Sequence, residues 1–364
     1  MSFGDFYGNV EVVRRLREML ARDRFPHAVI LAGPPGAGKY TLAQMLAKTM
    51  NCLEAKTVDG LPDYCGACAN CVRIAGADDL NARFAEAVET REALRDADKK
   101  DTRILIQSHP EVMVVPPDPP QMLIKIGQVR KVIDSIYYKP VEAKRKVYIF
   151  TESSFMKEAA NSLLKVLEEP PEFATLFLLT DNVGELLPTI RSRCVTFTLS
   201  SLPTSEIADF LERTRPDWNA RQRQLVARLA GGAVGKARSF DLEVYAAARK
   251  DALILLQTGM AADDHSALFR MTESYRAGAE GKDKTEQLIR ACYSVLEDLL
   301  FIKAETPELV RNTDIQSELT RLAGSISFDW ITQAAYELGR VETGMRRNLL
   351  RSLSLDAMAT SLER

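Results

Sequence analysis

The stretch HAVILAGPPGAGKYTLAQMLAKTM, residues 27–50, decides how this chain folds. It opens as an apolar, β-rich run and closes with apolar residues at helical spacing. The loop between them fits G-x-x-x-x-G-K through Gly33, Gly36, Gly38 and Lys39. Glycines so placed let successive backbone N–H groups converge on phosphate oxygens, the helix N-terminus adds partial positive charge, and Lys39 reaches the outer phosphates. The next position normally offers magnesium a Ser or Thr hydroxyl. Here it is Tyr40, and Thr41 stands one residue out of register. Magnesium demands close, near-octahedral oxygens, which a phenol on a rigid ring does not supply. The loop is therefore expected to accept ATP but not to hydrolyse it.

Outward from this loop, further strand candidates are EVMVVPP (111–117), RKVYIFTE (145–152), ATLFLLTDN (174–182) and CVTFTL (194–199), alternating with helical patterns. Alternation of this kind predicts an α/β domain with a mostly parallel sheet over residues 1–200. In such a site a second strand should end in an aspartate that holds magnesium, followed by a glutamate that activates water. KVYIFTESS (146–154) offers Thr151 and then Glu152, so a second metal-holding position has lost its usual chemistry. Beyond SSLPTSE (200–206) the β signals stop, and the glycine-rich GGAVGKARS (231–239) divides the rest into a small helical bundle, 201–243, and a larger one, 244–364. Residues 76–107 are charged, alanine-rich and helical in character, and read as a solvated surface helix inserted in the first domain.

Composition sets the boundaries of function. With 48 basic and 50 acidic residues the chain has no global field for nucleic acid, so any such contact needs a local patch. No apolar run approaches a membrane span and the first residues lack a secretory pattern, which predicts a cytoplasmic protein without a membrane partner. Cys52, Cys65, Cys68 and Cys71 follow C-x12-C-x2-C-x2-C. That spacing suits a closed, structural zinc site, and in a cytosolic chain disulfides are the poorer alternative. Cys194 and Cys292 stand apart and read as core thiols.

KVYIFTESSFMKEAANSLLKVLEEPPEFATLFLLTDN (146–182), followed by LLPTIRSRC (186–194), resembles the AAA+ subunits of bacterial sliding-clamp loaders, and the cysteine module resembles the zinc module of that family. The resemblance spans at least residues 5–243 and is most specific at Ala160–Pro171 and Ser192-Arg193-Cys194. It implies an AAA+ domain, a small helical lid and a helical collar that joins a ring with other subunits. Within the family, motor subunits of the gamma or tau kind keep the phosphate-loop and metal-binding residues that this chain lacks. SHPEVMVVPP (108–117), with Glu111 in place of an aspartate, and RRNLLRSLSLDAMATSL (346–362), after which no tau-like extension follows, are similar to delta-prime subunits of DNA polymerase III. The implied role is structural: Arg193 reaches in trans, as an arginine finger, into the ATP site of a neighbouring motor subunit.

The resemblance further implies that Thr180 takes the family's polar sensing role and that the family's second sensing arginine falls on Gly235, beside Lys236 and Arg238. Motor subunits and a delta-like subunit are the implied partners, with the sliding clamp and primer-template DNA beyond them. The basic helix and the run Lys144-Arg145-Lys146 are candidates for phosphate contact, although solvated charge explains them as well. His109 before Pro110 reads as a packing residue. Two other readings stay open: a gamma/tau-like or stand-alone P-loop ATPase, and a zinc-dependent nucleic-acid module, for which Lys48, Lys56 and Arg73 are the only flanking basic residues.

Overall fold

The computed structural model describes residues 2–260, 265–276, 278–346 and 350–362. The chain forms two compact units, one of Met1–Pro203 with Gly232–Lys236, the other of Thr204–Gly231 with Ala237–Arg364. In the first unit α1 (Val10–Ala21), β1 (Ala28–Ala32) and α2 (Lys39–Asn51) lead into a small hairpin of β2 (Lys56–Val58) and β3 (Leu61–Asp63). Then come α3 (Ala69–Ala75), α4 (Leu80–Glu92), α5 (Asp96–Asp101), β4 (Ile106–His109), β5 (Val112–Val115), α6 (Ile126–Ile136) and β6 (Lys146–Phe150). The unit continues with α7 (Lys157–Glu168), β7 (Ala174–Thr180), α8 (Pro188–Arg191) and β8 (Val195–Thr198).

Six strands form one sheet in the order β4-β5-β6-β7-β1-β8. Every pairing is parallel except β4 with β5. The sheet is covered on both faces, and β1 shows why an unbroken apolar run was needed. Val29 and Leu31 pack with Leu42, Met45 and Leu46 of α2, while Ala28 and Ile30 pack with Val132 of α6 and Leu163 of α7. The glycine-rich loop thus starts at the C-terminal end of β1, an interior strand between β7 and β8, where α/β sheets place ligands.

The five strands expected from the sequence form at their predicted places. Two features were not foreseen. Asp59 and Gly60, both at positive φ (53° and 74°), turn the β2–β3 hairpin, a D-G signal flanked by Val58 and Leu61. The charged stretch 76–107 resolves into α4, α5 and the start of edge strand β4. It is more than a solvated face: Arg91 of α4 is only 8% exposed and pairs with Asp118, which is fully buried.

The second unit is helical: α9 (Thr204–Thr214), α10 (Ala220–Leu229), α11 (Val234–Arg238, whose first turn lies in the other unit), α12 (Leu242–Thr258) and α13 (Ser266–Glu273). It is completed by α14 (Gly278–Lys303), α15 (Gln316–Ser325), α16 (Phe328–Arg346) and α17 (Arg351–Ser361). The apolar stripe of α14 is internal, with Leu288, Cys292, Val295 and Leu299 fully buried in one cluster. Arg228 of α10 donates to the carbonyls of Glu308 (2.9 Å) and Val310 (2.8 Å), tying α10 to the loop before α15. Of the C-terminal run 346–362, residues 347–349 lie outside the described residues, and Arg351–Ser361 is helical. Among the described residues no helix is long and apolar enough to cross a membrane.

Candidate functional site

The phosphate loop joins β1 to α2 with Gly33, Gly36 and Gly38 all at positive φ. A Cβ on Gly33 would lie 2.4 Å from the Leu199 carbonyl and one on Gly38 2.9 Å from the Phe6 ring, while one on Gly36 would crowd the backbone of Lys236 at 3.1 Å. Lys39, the first residue of α2, turns back into the loop. Its Nζ donates to the carbonyls of Gly33 (2.5 Å) and Pro34 (3.0 Å) and to Asp181 Oδ1 (2.6 Å), so all three ammonium protons have acceptors within the chain. Asp181 directly follows Thr180, and the sequence reading passed over it.

Tyr40 does not face this loop. Its phenol donates to the Ala77 carbonyl and accepts from Gln44 Nε2 at 2.7 Å, and burial pushes its pKa upward. The residue in the magnesium position therefore fastens α2 to the start of the 76–107 segment. A second tie runs alongside, from Lys48 Nζ to Asp78 at 2.7 Å. Thr41 is exposed. Glu152 is exposed by area, yet its carboxyl is held above its ordinary pKa, first by burial and then by Asp181 and Glu185, with Lys39 opposing. Thr180 is buried at the end of β7. Its hydroxyl lies 2.9 Å from Ser153 Oγ and 2.8 Å from the Asn182 carbonyl, while Ser153 donates to Glu185 at 2.9 Å.

At Gly235, where the sensing arginine was expected, the backbone N–H donates to the Gly36 carbonyl at 2.8 Å. A Cβ there would stand 2.9 Å from that same oxygen. The chain backbone, not a side chain, meets the loop at this point. The glycines hold the loop in a tight curve, but its lysine is engaged internally and the residue after it, Tyr40, turns its hydroxyl to Ala77.

Arg193 lies on the turn after α8, away from this loop in sequence. Its Nη1 donates to the Thr189 carbonyl (2.9 Å) and Ser192 Oγ (3.2 Å), and Nη2 to Glu168 Oε1 (2.7 Å) at the end of α7. The two side chains are 34% and 51% exposed, so the guanidinium is oriented yet reachable from outside. Glu168 lies within the LEEPP run, and its pairing was not evident from spacing.

The four cysteines converge. Their sulfurs all lie within 4.8 Å of one another, with Cys52–Cys68 at 3.9 Å and Cys65–Cys71 at 4.0 Å. Four thiolates at about 2.3 Å from a tetrahedral zinc stand about 3.8 Å apart, so the set fits that ion. Backbone N–H groups of Cys65 and Cys68 point at Cys52 Sγ and Cys65 Sγ, each at 3.2 Å, as amides do around thiolate ligands. Burial pushes Cys52 and Cys71 upward, whereas at Cys68 burial is outweighed by backbone and thiol hydrogen bonds that lower it. Of the basic residues flanking the module, Lys48 pairs with Asp78 and Arg73 with Glu142, and only Lys56 remains exposed without a described ion pair.

Other candidates are structural. His109 is buried, accepts from the Glu111 N–H at 3.1 Å, and is shifted downward by burial and then by Arg73. In the basic run, Lys146 is buried against the Ser135 carbonyl (2.8 Å) and Arg145 pairs with Asp23 (3.1 Å), which leaves Lys144 exposed.

A protein-family model described as "DNA polymerase III, delta subunit" matches residues 8–203. Among curated proteins, the chain is 30% identical to the DNA polymerase III subunit tau of Escherichia coli K12 over 65% of this chain and 32% of that one. It is 31% identical to the gamma subunit of Buchnera aphidicola from Acyrthosiphon pisum, over 58% of this chain and 48% of that one. The chain thus spans about a third to about a half of the length of these relatives. Among solved structures, a gamma subunit-related protein of Thermotoga maritima aligns over 97% of this chain and 99% of that chain, with a TM-score of 0.37 and 16% identity.

Proposed function

Because this chain belongs to the family described as the DNA polymerase III delta subunit, we propose that it is a delta-prime-like clamp-loader subunit, inactive as an ATPase, whose Arg193 completes the ATP site of a neighbouring motor subunit. The observation that carries this reading is Tyr40: the magnesium position is filled by a phenol bonded to Ala77, outside the loop. Thr151 in place of an acidic ligand and the backbone contact at Gly235 support it.

If ATP enters the loop, Gly33, Gly36, Gly38 and Lys39 are the residues to hold its phosphates; Thr41, Glu152 and Thr180 stand around them without a magnesium ligand of the usual kind. Arg193 does its work elsewhere. A guanidinium is planar and always charged, so it meets charge developing on a transferring phosphoryl group, an effect worth about 10³–10⁵ in rate in comparable enzymes. Its surface pair with Glu168 contributes about 0–1 kcal/mol, enough to orient the side chain and little enough to be exchanged for a phosphate. Cys52, Cys65, Cys68 and Cys71 would hold a zinc in a structural role, since four protein ligands leave no open position. In this reading α9–α11 form the lid and α12–α17 the collar that joins gamma/tau-like motor subunits and a delta-like subunit, with the sliding clamp and primer-template DNA as the assembly's targets.

The test is reconstitution. The purified chain alone should show no ATPase activity. Arg193→Ala should leave assembly with motor subunits intact and lower DNA-stimulated turnover at the site it serves by about 10³ or more. Full activity of that variant assembly overturns the proposal. The identity to gamma and tau subunits favours one competing reading, a motor-like ATPase; hydrolysis by the isolated chain that disappears in Lys39→Met would establish it.

A further inference from the structure

Residues 76–107 take no part in the function proposed above, yet they are firmly built. Ala77 accepts Tyr40, Asp78 takes Lys48, and Arg91 is buried against Asp118. Between these anchors α4 presents Arg83, Glu86, Ala87, Thr90 and Arg91 along one face and, with Leu94 just beyond its end and Thr102–Ser108, encloses a groove of about 460 Å³. Every residue from Thr102 to Ser108 lines that groove. Of these residues Ile106, Gln107 and Ser108 belong to β4; successive strand residues point to opposite faces, so a groove that touches all three runs along the strand's edge, where the backbone is. β4 is the outermost strand, paired with β5 alone among the described strands. An edge of this kind offers N–H and C=O groups to an extended chain.

We propose that this groove docks an extended, acidic segment of a partner protein, which adds to β4 as a further strand. The backbone edge asks for a strand rather than a helix. No aromatic residue lines the groove for a nucleic-acid base to stack on, which favours a peptide over a single strand of DNA or RNA. Its lining sets Arg83, Arg91 and Arg103 against Glu86. Arg83 and Glu86 pair at 2.7 Å with side chains 47% and 64% exposed, and such a pair is readily exchanged for an incoming carboxylate. Lys125, 3.4 Å from Asp118, shares the carboxylate that pairs with Arg91, and Glu92 stands 3.5 Å from the same guanidinium. Ser108 Oγ is buried without a hydrogen-bond partner in the described structure, and an added strand brings polar groups within its neighbourhood. Ala87, Leu94 and Ile104 supply the apolar ground for aliphatic residues alternating with the acidic ones.

The proposal stands independently of Arg193, and its test uses the full chain. A display library of random peptides is selected on the wild-type protein and on Thr90→Trp, which fills the groove from an exposed position; thermal unfolding checks that the variant is folded. Peptides alternating acidic and aliphatic residues should be enriched on the wild type alone. A synthetic consensus peptide should lose roughly tenfold in affinity with Arg83→Glu and weaken with added salt, and it should slow amide exchange in Leu105 and Gln107. Equal enrichment on both proteins, enrichment of basic sequences, competition by single-stranded DNA in place of peptide, or no enrichment at all overturns it.

Discussion

Lys39→Met keeps the aliphatic stem and removes only the ammonium. In a hydrolysing phosphate loop this change is expected to abolish turnover and spare the fold; in this chain the reverse is expected. The three Nζ protons are bound by Gly33 O at 2.5 Å, Pro34 O at 3.0 Å and Asp181 Oδ1 at 2.6 Å. Asp181 is 49% exposed, so solvent screens its pair and the contribution is about 0–1 kcal/mol. The lysine side chain is only 10% exposed, and each charge-assisted bond to a loop carbonyl adds about 1 kcal/mol net. The loss is therefore about 2–3 kcal/mol, or about 5–10 °C in the unfolding midpoint of a unit of this size. Urea and thermal unfolding of the isolated chain measure the first effect. DNA-stimulated ATPase of the assembly with motor subunits measures the second and should stay near wild type. A variant of unchanged stability whose assembly has lost its turnover would refute the reasoning, because Lys39 would then be serving a nucleotide and not the loop.

Arg91→Ala leaves Asp118 buried with Lys125 at 3.4 Å as its remaining described cation, and should cost about 3 kcal/mol in urea unfolding, the lower end for breaking a buried pair. Adding Asp118→Leu should recover much of that loss; a cost below about 1 kcal/mol for the single change would mean that the 76–107 segment is held by other contacts. Metal analysis of the purified chain should find zinc, and either strong chelation or Cys71→Ser should release it and lower the midpoint by loosening the β2–β3 hairpin and α3. Full stability after extraction contradicts a structural metal.

Much of the first unit was legible because its signals are local. A short apolar run such as HAVILAG or ATLFLLT, bounded by turn residues, reads as a strand covered on both faces, and G-x-x-x-x-G-K states its own loop geometry. The β2–β3 hairpin has only a short local signal, Val58-Asp59-Gly60-Leu61, between Cys52 and Cys65, and each of its strands is three residues long. β4 was hidden for a different reason: Ile106–His109 is short, mixed in polarity and preceded by a charged helical run, so neither period dominates.

By itself the sequence settled which chemistry the chain carries: a phosphate loop with Tyr40 in the magnesium position, four cysteines at zinc spacing, and an arginine in Ser192-Arg193-Cys194. Only the tertiary structure decided what those groups do with their valences. Tyr40 turns to Ala77, Lys39 closes on Asp181, Arg193 rests on Glu168 and Arg91 sinks onto Asp118. Each of these partners lies at least 25 residues away along the chain, beyond the reach of helix or strand periodicity. A polar group buried by packing must find whichever partner the fold brings beside it, and that neighbour is set by how the elements stack, not by local spacing.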